Sequence, residues 1–283
     1  MQQGILDKAF IFGAGSVGKT VLSTVQSKYT MLGYIDNDKT KWGTVYEGFE
    51  VFNPESILTE DYQMIIVATL AGVDSVVAQL LQMGVEHNRI STEYVDLTVK
   101  SRISFLEKLG AMFHEQNIEG SVAECGVFLG EFAKEINRIF PARKLYLFDT
   151  FSGFDKKDIY IEQEKKYSHL KAGHFNITSE QLVMDKMIYP QMCVIRKGYF
   201  PQTSEGLDEV FCFVNLDFDL YQPTLAGLEY FYPRLVDNGI ILVHDYFSKN
   251  YTGVQEAVKD FERNTKDIRK LPIGDGLSIA IFR

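Results

Sequence analysis

Two acids, Asp217 and Asp245, each stand just beyond an apolar run that reads as a buried strand. If those strands are neighbours, about 4.8 Å apart, both carboxylates emerge at the carboxyl edge of one sheet, where open α/β folds bind ligands. They can then reach one ion. Magnesium suits such a pair, because it prefers oxygen ligands and keeps waters that a substrate hydroxyl can replace. Upstream, Glu124-Cys125-Gly126-Val127-Phe128-Leu129-Gly130 lies where a strand hands over to a helix, and Asp149 ends the next strand 19 residues after Gly130. Gly126 permits a sharp turn, Gly130 a close approach, and Asp149 can accept from two ribose hydroxyls. An acid ahead of the first glycine disfavours pyrophosphate but tolerates a cationic sulfonium with its amino acid tail. The pattern therefore favours S-adenosylmethionine over NAD. Methyl transfer needs mainly an aligned oxygen and a proton acceptor, and Asp217 is placed to be the acceptor. His244 reads equally as a metal ligand and as a satisfied polar residue at a strand end. Asp219 reads more readily as a cap for the helix opening near Pro223.

A second glycine loop stands near the N-terminus. Gly13-Ala14-Gly15-Ser16-Val17-Gly18 follows a strand and opens a helix, and Asp36 ends the next strand, where a carboxylate can meet ribose. With Lys19 and Thr20 the same residues also spell a phosphate-cradling loop, but the strand at Met64 ends in Ala68-Thr69 and supplies no magnesium-holding acid. The expected ligand is a nucleotide or nucleotide-sugar, against the alternative that this loop binds nothing and its domain only supports assembly. Tyr167 and Lys171 form a YxxxK pair of the kind short-chain dehydrogenases use. Here it falls in an aperiodic polar stretch, so coincidence is the expectation.

The elements that position these residues alternate between strand-like and helix-like along the whole chain, which predicts parallel α/β architecture. Strands are expected at Lys8 to Phe12, Met31 to Ile35 and Met64 to Ala68 in the first part. The second part offers Val122 to Cys125, Lys144 to Phe148, Cys193 to Arg196, Phe211 to Leu216, Ile240 to Val243 and Leu277 to Phe282. Val254, Ala257, Val258 and Phe261 have the i, i+3, i+4, i+7 spacing of a helix. Periodicity fades from Tyr94 to Arg102 and returns in a helix near Phe105 to Phe113, which sets the expected domains at 1–98 and 99–283. Asp155 to His174 is polar, aromatic and aperiodic, a lid or a disordered segment. It ends at Thr178, which with Gln181 has the form of a capping box.

A chain of 283 residues, 46% hydrophobic, can support two modest cores. Its net charge of −9 and the lack of a dense basic block argue against nucleic acid or an anionic membrane as partner and leave a small molecule. The three cysteines, Cys125, Cys193 and Cys212, lie in apolar runs and read as reduced structural thiols. Without a membrane-length apolar run or a signal-like start, a cytoplasmic protein is expected. Aromatic content of 13% leaves room for a homodimer interface.

Several separated stretches carry a resemblance. VAECGVFLGEFAKEI, LFDTFSGF, KGYFPQT and VNLDFDLYQPTLAGLEYFYPRL followed by GIILVHDYF resemble, over roughly residues 100 to 283, the macrocin O-methyltransferase family. The resemblance implies a class I methyltransferase with a seven-stranded, doubly wound sheet that methylates sugar hydroxyls with the help of magnesium. It implies Asp217 as general base and metal ligand, Asp245 as a second ligand, and Gly198-Tyr199-Phe200 near the adenine, although that aromatic pair reads equally as core. Where the family commonly has two adjacent acids before Tyr, this chain has His244-Asp245-Tyr246. Tyr34-Ile35-Asp36-Asn37-Asp38, Trp42-Gly43 and the stretch from Gly48 to Pro54 resemble small Rossmann-like modules of sugar-modifying enzymes. The leading expectation is metal-assisted O-methylation of a sugar. Its rivals are an NAD-dependent sugar oxidoreductase and a non-catalytic nucleotide-binding protein.

Overall fold

The computed structural model describes residues 6–69, 72–249 and 251–283. Its contacts divide the chain into two compact units, Met1–Lys100 and Ser101–Arg283. In the first, the strands are β1 (Lys8–Phe12), β2 (Thr30–Ile35), β3 (Val45–Tyr46), β4 (Phe49–Phe52), β5 (Met64–Val67) and β6 (Ile90–Ser91), with helices α1 (Ser16–Val25) and α2 (Val73–Gln82). They form one sheet in the order β3-β4-β2-β1-β5-β6, parallel except for β3 against β4. The β3–β4 hairpin escaped the sequence reading because both strands are very short. Glu47 and Gly48 make its turn, each with positive φ, as a two-residue hairpin loop matching the strand twist requires.

Helix α3 (Glu93–Glu115) runs through the stretch where periodicity fades. Tyr94 packs with the first unit's core, whereas Leu106, Leu109 and Phe113 belong to the second's. Between them Leu97 and Val99 are exposed, and apolar residues off the buried side blur the period.

The second unit contains β7 (Ser121–Cys125), α4 (Glu131–Ile139), β8 (Leu145–Asp149), α5 (Lys156–Lys165), α6 (Glu180–Met184), β9 (Cys193–Lys197), β10 (Phe211–Leu216), α7 (Tyr221–Phe231), β11 (Leu235–Val243), α8 (Thr252–Asn264), β12 (Arg269–Pro272) and β13 (Ile279–Phe282). The order is β12-β13-β11-β10-β7-β8-β9, with β13 antiparallel to both its neighbours. This is the expected seven-stranded α/β sheet. Its edge strand, β12, opens with two basic residues and ends in proline, a composition that suits an edge and disguises a strand. Val254, Ala257, Val258 and Phe261 are buried in α8 as their spacing demands. Cys125 and Cys212 are buried free thiols, and Cys193 is half-buried. Among the described residues no helix is long and apolar enough to cross a membrane.

The supposed lid is partly helical. Asp155 caps α5 by accepting from the Lys157 amide at 2.8 Å, and Asp158, Ile159 and Glu162 are buried. Its inner face thus mixes acids with apolar residues, which hid the period. The helix after it is capped by Ser179, which accepts from the Leu182 amide, one residue beyond the expected Thr178; the Thr178 hydroxyl donates instead to the Phe128 carbonyl.

Asp158 accepts from the Tyr199 hydroxyl at 2.6 Å and is 4% exposed. Burial pushes its pKa from 3.8 to about 6, against the opposing pull of that hydrogen bond. The folded state therefore holds this proton more tightly than the unfolded chain, so stability falls as pH rises through the window from 3.8 to about 6 and is level above it. Asp158→Asn keeps an acceptor for Tyr199 and removes the ionisation. Denaturant titrations should show the variant gaining on the wild type across that window, by up to ~3 kcal/mol at pH 8. Curves that stay parallel from pH 4 to pH 8 would contradict this account.

Candidate functional site

The central strand β10 lies between β7 and β11, and Leu216 is in register with both Cys125 and Val243. The next residues therefore leave the sheet side by side. The Asp217 amide donates to the Cys125 carbonyl at 2.8 Å, and the His244 amide donates to the Leu216 carbonyl at 2.9 Å. Gly126 makes this possible. Its φ is +84°, and a Cβ there would stand 2.0 Å from the Asp217 carbonyl oxygen, so only glycine lets the loop pass the acid.

At this edge Asp217, Asp219, His244 and Asp245 bring ligand-type atoms within 4.8 Å of one another. The His244 Nδ1–H is shared between Asp217 Oδ1 and Asp245 Oδ2, each at 2.9 Å. Arg102, from α3, donates through Nη2 to Asp217 Oδ2 and to Asn215 Oδ1, both at 3.0 Å, while its guanidinium lies 3.8 Å from the Phe132 ring centroid. Burial alone would raise the Asp217 pKa, but the cationic His244 and Arg102 outweigh it and hold the carboxyl well below the usual range. For His244, burial and Arg102 push down, and Asp217 with Asp245 carry the result up to about 10. Burial, then Asp245 and Asp217, push Asp219 well up. Asp219 and Asp245 share a hydrogen bond, which requires a proton on one of two carboxyls. Three oxygen donors and one nitrogen, crowded enough to retain that proton, are a donor set that fits a divalent cation.

The expected cap is not where sequence placed it. Leu220 is the N-cap residue of α7 and supplies no side-chain bond; the Tyr221 amide donates to Glu162 Oε1 of α5 at 2.8 Å. Asp219, with φ +61°, turns back toward the cluster instead. The alternating acids of Asp217-Phe218-Asp219 were the signal for this, and the nearby helix start obscured it. Arg102 has no such signal, because nothing local in the sequence distinguishes it.

The glycine loop beside the cluster is tied down by Asp149. Its Oδ2 accepts from the Val127 and Phe128 amides at 2.7 and 2.9 Å, and Oδ1 accepts from Phe151 at 2.7 Å. A carboxylate has about four lone-pair sites, so roughly one is left for a ribose hydroxyl. Gly130 (φ +79°) packs on Val183 rather than on a strand. Gly198 donates its amide to the Asp149 carbonyl, while Phe200 is core, stacked on Phe231. Glu124 is 2% exposed; its Oε1 accepts from Asn215, and Oε2, like Arg102 Nε, is buried without a partner. Burial pushes Glu124 well up. Just past Asp149, residues 150, 152–157 and 172–173 line a cleft of about 580 Å³, a size that suits a small ligand.

The N-terminal loop repeats this construction. Asp36 accepts from the Ala14 amide at 2.9 Å and from the Lys41 ammonium on Oδ2, and from the Asp38 amide on Oδ1. Gly13 and Gly18 are enforced by backbone contacts, since a Cβ on Gly18 would stand 2.0 Å from the Gly13 carbonyl oxygen; Gly15 faces open space. Lys19 pairs with Glu47, which leaves the phosphate-loop pattern without its lysine. Tyr167 and Lys171 lie beyond the C-terminal end of α5, and the Tyr167 ring packs on Tyr221, so the YxxxK pair lacks the helix it requires.

Residues 77–276 match the family model for macrocin-O-methyltransferase (TylF). The chain belongs to the macrocin O-methyltransferase family. It is an O-methyltransferase. Residues 5–91 match the model for the C2185-like N-terminal domain. Among solved structures, the calicheamicin methyltransferase CalS11 is similar at 20% identity and a TM-score of 0.53, over 74% of this chain and 90% of that one. The O-methyltransferase NovP is similar at 18% identity and a TM-score of 0.52, over 65% of this chain and 79% of that one. At these identities the likeness is one of fold. No curated protein matches the chain.

The Arg102 side chain is 12% exposed and, together with His244, offsets the charge of Asp217. Replacing it with Met leaves Asp217 one cation short and should destabilise the protein by about 3 kcal/mol, as losing one partner of a buried pair does. Thermal and denaturant unfolding would measure this, and a loss below ~1 kcal/mol would show the pair to be weak.

Proposed function

We propose that this protein transfers a methyl group from S-adenosylmethionine to a sugar hydroxyl with the assistance of a divalent metal, magnesium being the ion first expected. The reading is supported above all by the convergence of Asp217, Asp219, His244 and Asp245 at the carboxyl edge, next to the loop from Glu124 to Gly130. Family membership supplies the reaction class, and the family resemblance favours a sugar acceptor.

In this reading Gly126 and Gly130 shape the cofactor loop, and Asp149 fixes it while offering its remaining acceptor site to a ribose hydroxyl. Gly198, hydrogen-bonded to the end of β8, closes the adenine side. Glu124 and Arg102 each bring one buried unpartnered atom, an acceptor and a donor, suited to the ammonium and carboxylate of the cofactor's amino acid tail. Asp217, Asp219, Asp245 and His244 would hold the metal. Such an ion lowers the pKa of a hydroxyl bound to it.

The chemistry left to the chain is alignment and proton removal. The acceptor oxygen forms a bond to the methyl carbon as the carbon–sulfur bond breaks, and its proton passes to Asp217. With no ion bound, His244 and Arg102 keep Asp217 ionised, ready to accept but weakly basic; a metal taken up by His244 and the acids would supply that positive charge in place of the imidazolium and would acidify the hydroxyl to match so weak a base. The N-terminal unit, with Gly13, Gly15, Gly18 and Asp36 at its loop, is read as a nucleotide- or nucleotide-sugar-binding module; Gly15 is the glycine with space beside it for a ligand. A cytoplasmic location and a homodimer complete the proposal.

Calorimetry with S-adenosylhomocysteine should show micromolar-range binding that Asp149→Ala abolishes. Failure of the wild type to bind would overturn the methyltransferase site. Asp217→Asn should retain the fold and cofactor affinity and reduce turnover on a sugar acceptor by at least ~100-fold. Undiminished turnover would remove Asp217 from its role.

A further inference from the structure

We infer that His244 makes this a mixed oxygen and nitrogen site, selective for a divalent first-row transition ion such as cobalt, nickel, iron or zinc over magnesium. The inference rests on the metal reading above and changes the ion first expected there. His244 is not a bystander at the rim. Its Nδ1 is 2.9 Å from Asp217 Oδ1 and 2.9 Å from Asp245 Oδ2, so the ring nitrogen stands between two of the carboxylates. Nδ1–H makes hydrogen bonds to both carboxylates, so an ion that engages Asp217 and Asp245 together takes the place of this proton, which leaves to solvent, and meets the lone pair of the nitrogen.

Donor chemistry then decides the ion. Magnesium holds oxygen ligands and its own waters and gains little from imidazole, whereas imidazole is a good ligand for iron, nickel, copper and zinc. A site built for magnesium alone would be better served by a fourth carboxylate or by water at this position. Asp217, Asp219 and Asp245 still supply hard oxygens, which keeps the site open to ions that accept both donor types. Affinity along the first row rises toward copper for any such site, so a preference for cobalt over magnesium is not informative alone. What identifies the imidazole is how far that preference depends on residue 244.

The metal-stripped full-length protein is titrated with Co²⁺ and with Mg²⁺ by calorimetry, alongside His244→Asp. Mn²⁺ bound at one equivalent is examined by electron spin echo spectroscopy for coupling to ¹⁴N. We expect the Co²⁺ to Mg²⁺ affinity ratio to fall by about tenfold or more in His244→Asp. The nitrogen coupling should be present in the wild type and absent in the variant. If metal binds but the ratio is unchanged and no nitrogen coupling appears, His244 is not a ligand and the inference fails while the metal reading stands. If the wild type binds neither ion, both fail. Should the variant not fold, the nitrogen signal of the wild type decides alone.

Discussion

Three carboxylates gathered at the ends of neighbouring strands repel one another, and the second unit is arranged around offsetting that repulsion. The His244 N–H is split between Asp217 and Asp245, Arg102 clamps the other oxygen of Asp217, and a proton joins Asp219 to Asp245. Such crowding at a place the fold could have filled with apolar residues is costly, since buried charge is rarely stabilising for its own sake. It is understandable where a positive charge is to be received. The same arrangement sets the chemistry, because the cations that make Asp217 tolerable also make it a weak base.

The backbone creates the cluster as much as the side chains do. Register between β7, β10 and β11 delivers Gly126, Asp217 and His244 to one line, and the missing Cβ of Gly126 lets the lines approach. Asp219 and Asp245 both sit in the left-handed region, at φ +61° and +55°, so each chain reverses as it leaves its strand. Aspartate tolerates that region better than most residues. With that spot taken, the first amide of α7 is satisfied from α5 by Glu162, which couples the helix within the supposed lid to the segment that bears the acids.

What the sequence made legible follows from how local each cause is. Strands β7, β8, β10 and β11 are apolar runs between turns, and their terminal acids could be placed without knowing any partner. The adjacency of Asp217 and Asp245 followed from sheet logic. Helix α5 was hidden because its buried face carries Asp158 and Glu162, which look like surface residues until Tyr199 and the Tyr221 amide are known to meet them. Arg102 was hidden for a sharper reason. Its importance lies wholly in what it touches 115 residues away, and no spacing rule reaches that far.

Both units place an acid at the end of the second strand of their glycine motif, and in both that acid grips its own loop. Asp36 accepts from Ala14, and Asp149 from Val127 and Phe128. The amides of a loop that turns from strand to helix have no intrahelical acceptor, and a carboxylate one strand over is well placed to receive them. An acid at this position therefore has a structural task before any ribose arrives, which explains why the glycine and the acid occur together even where the ligand differs. The cofactor's hydroxyls are then recognised by what remains of a carboxylate already aimed by the protein, so that loop order and ribose recognition share one residue.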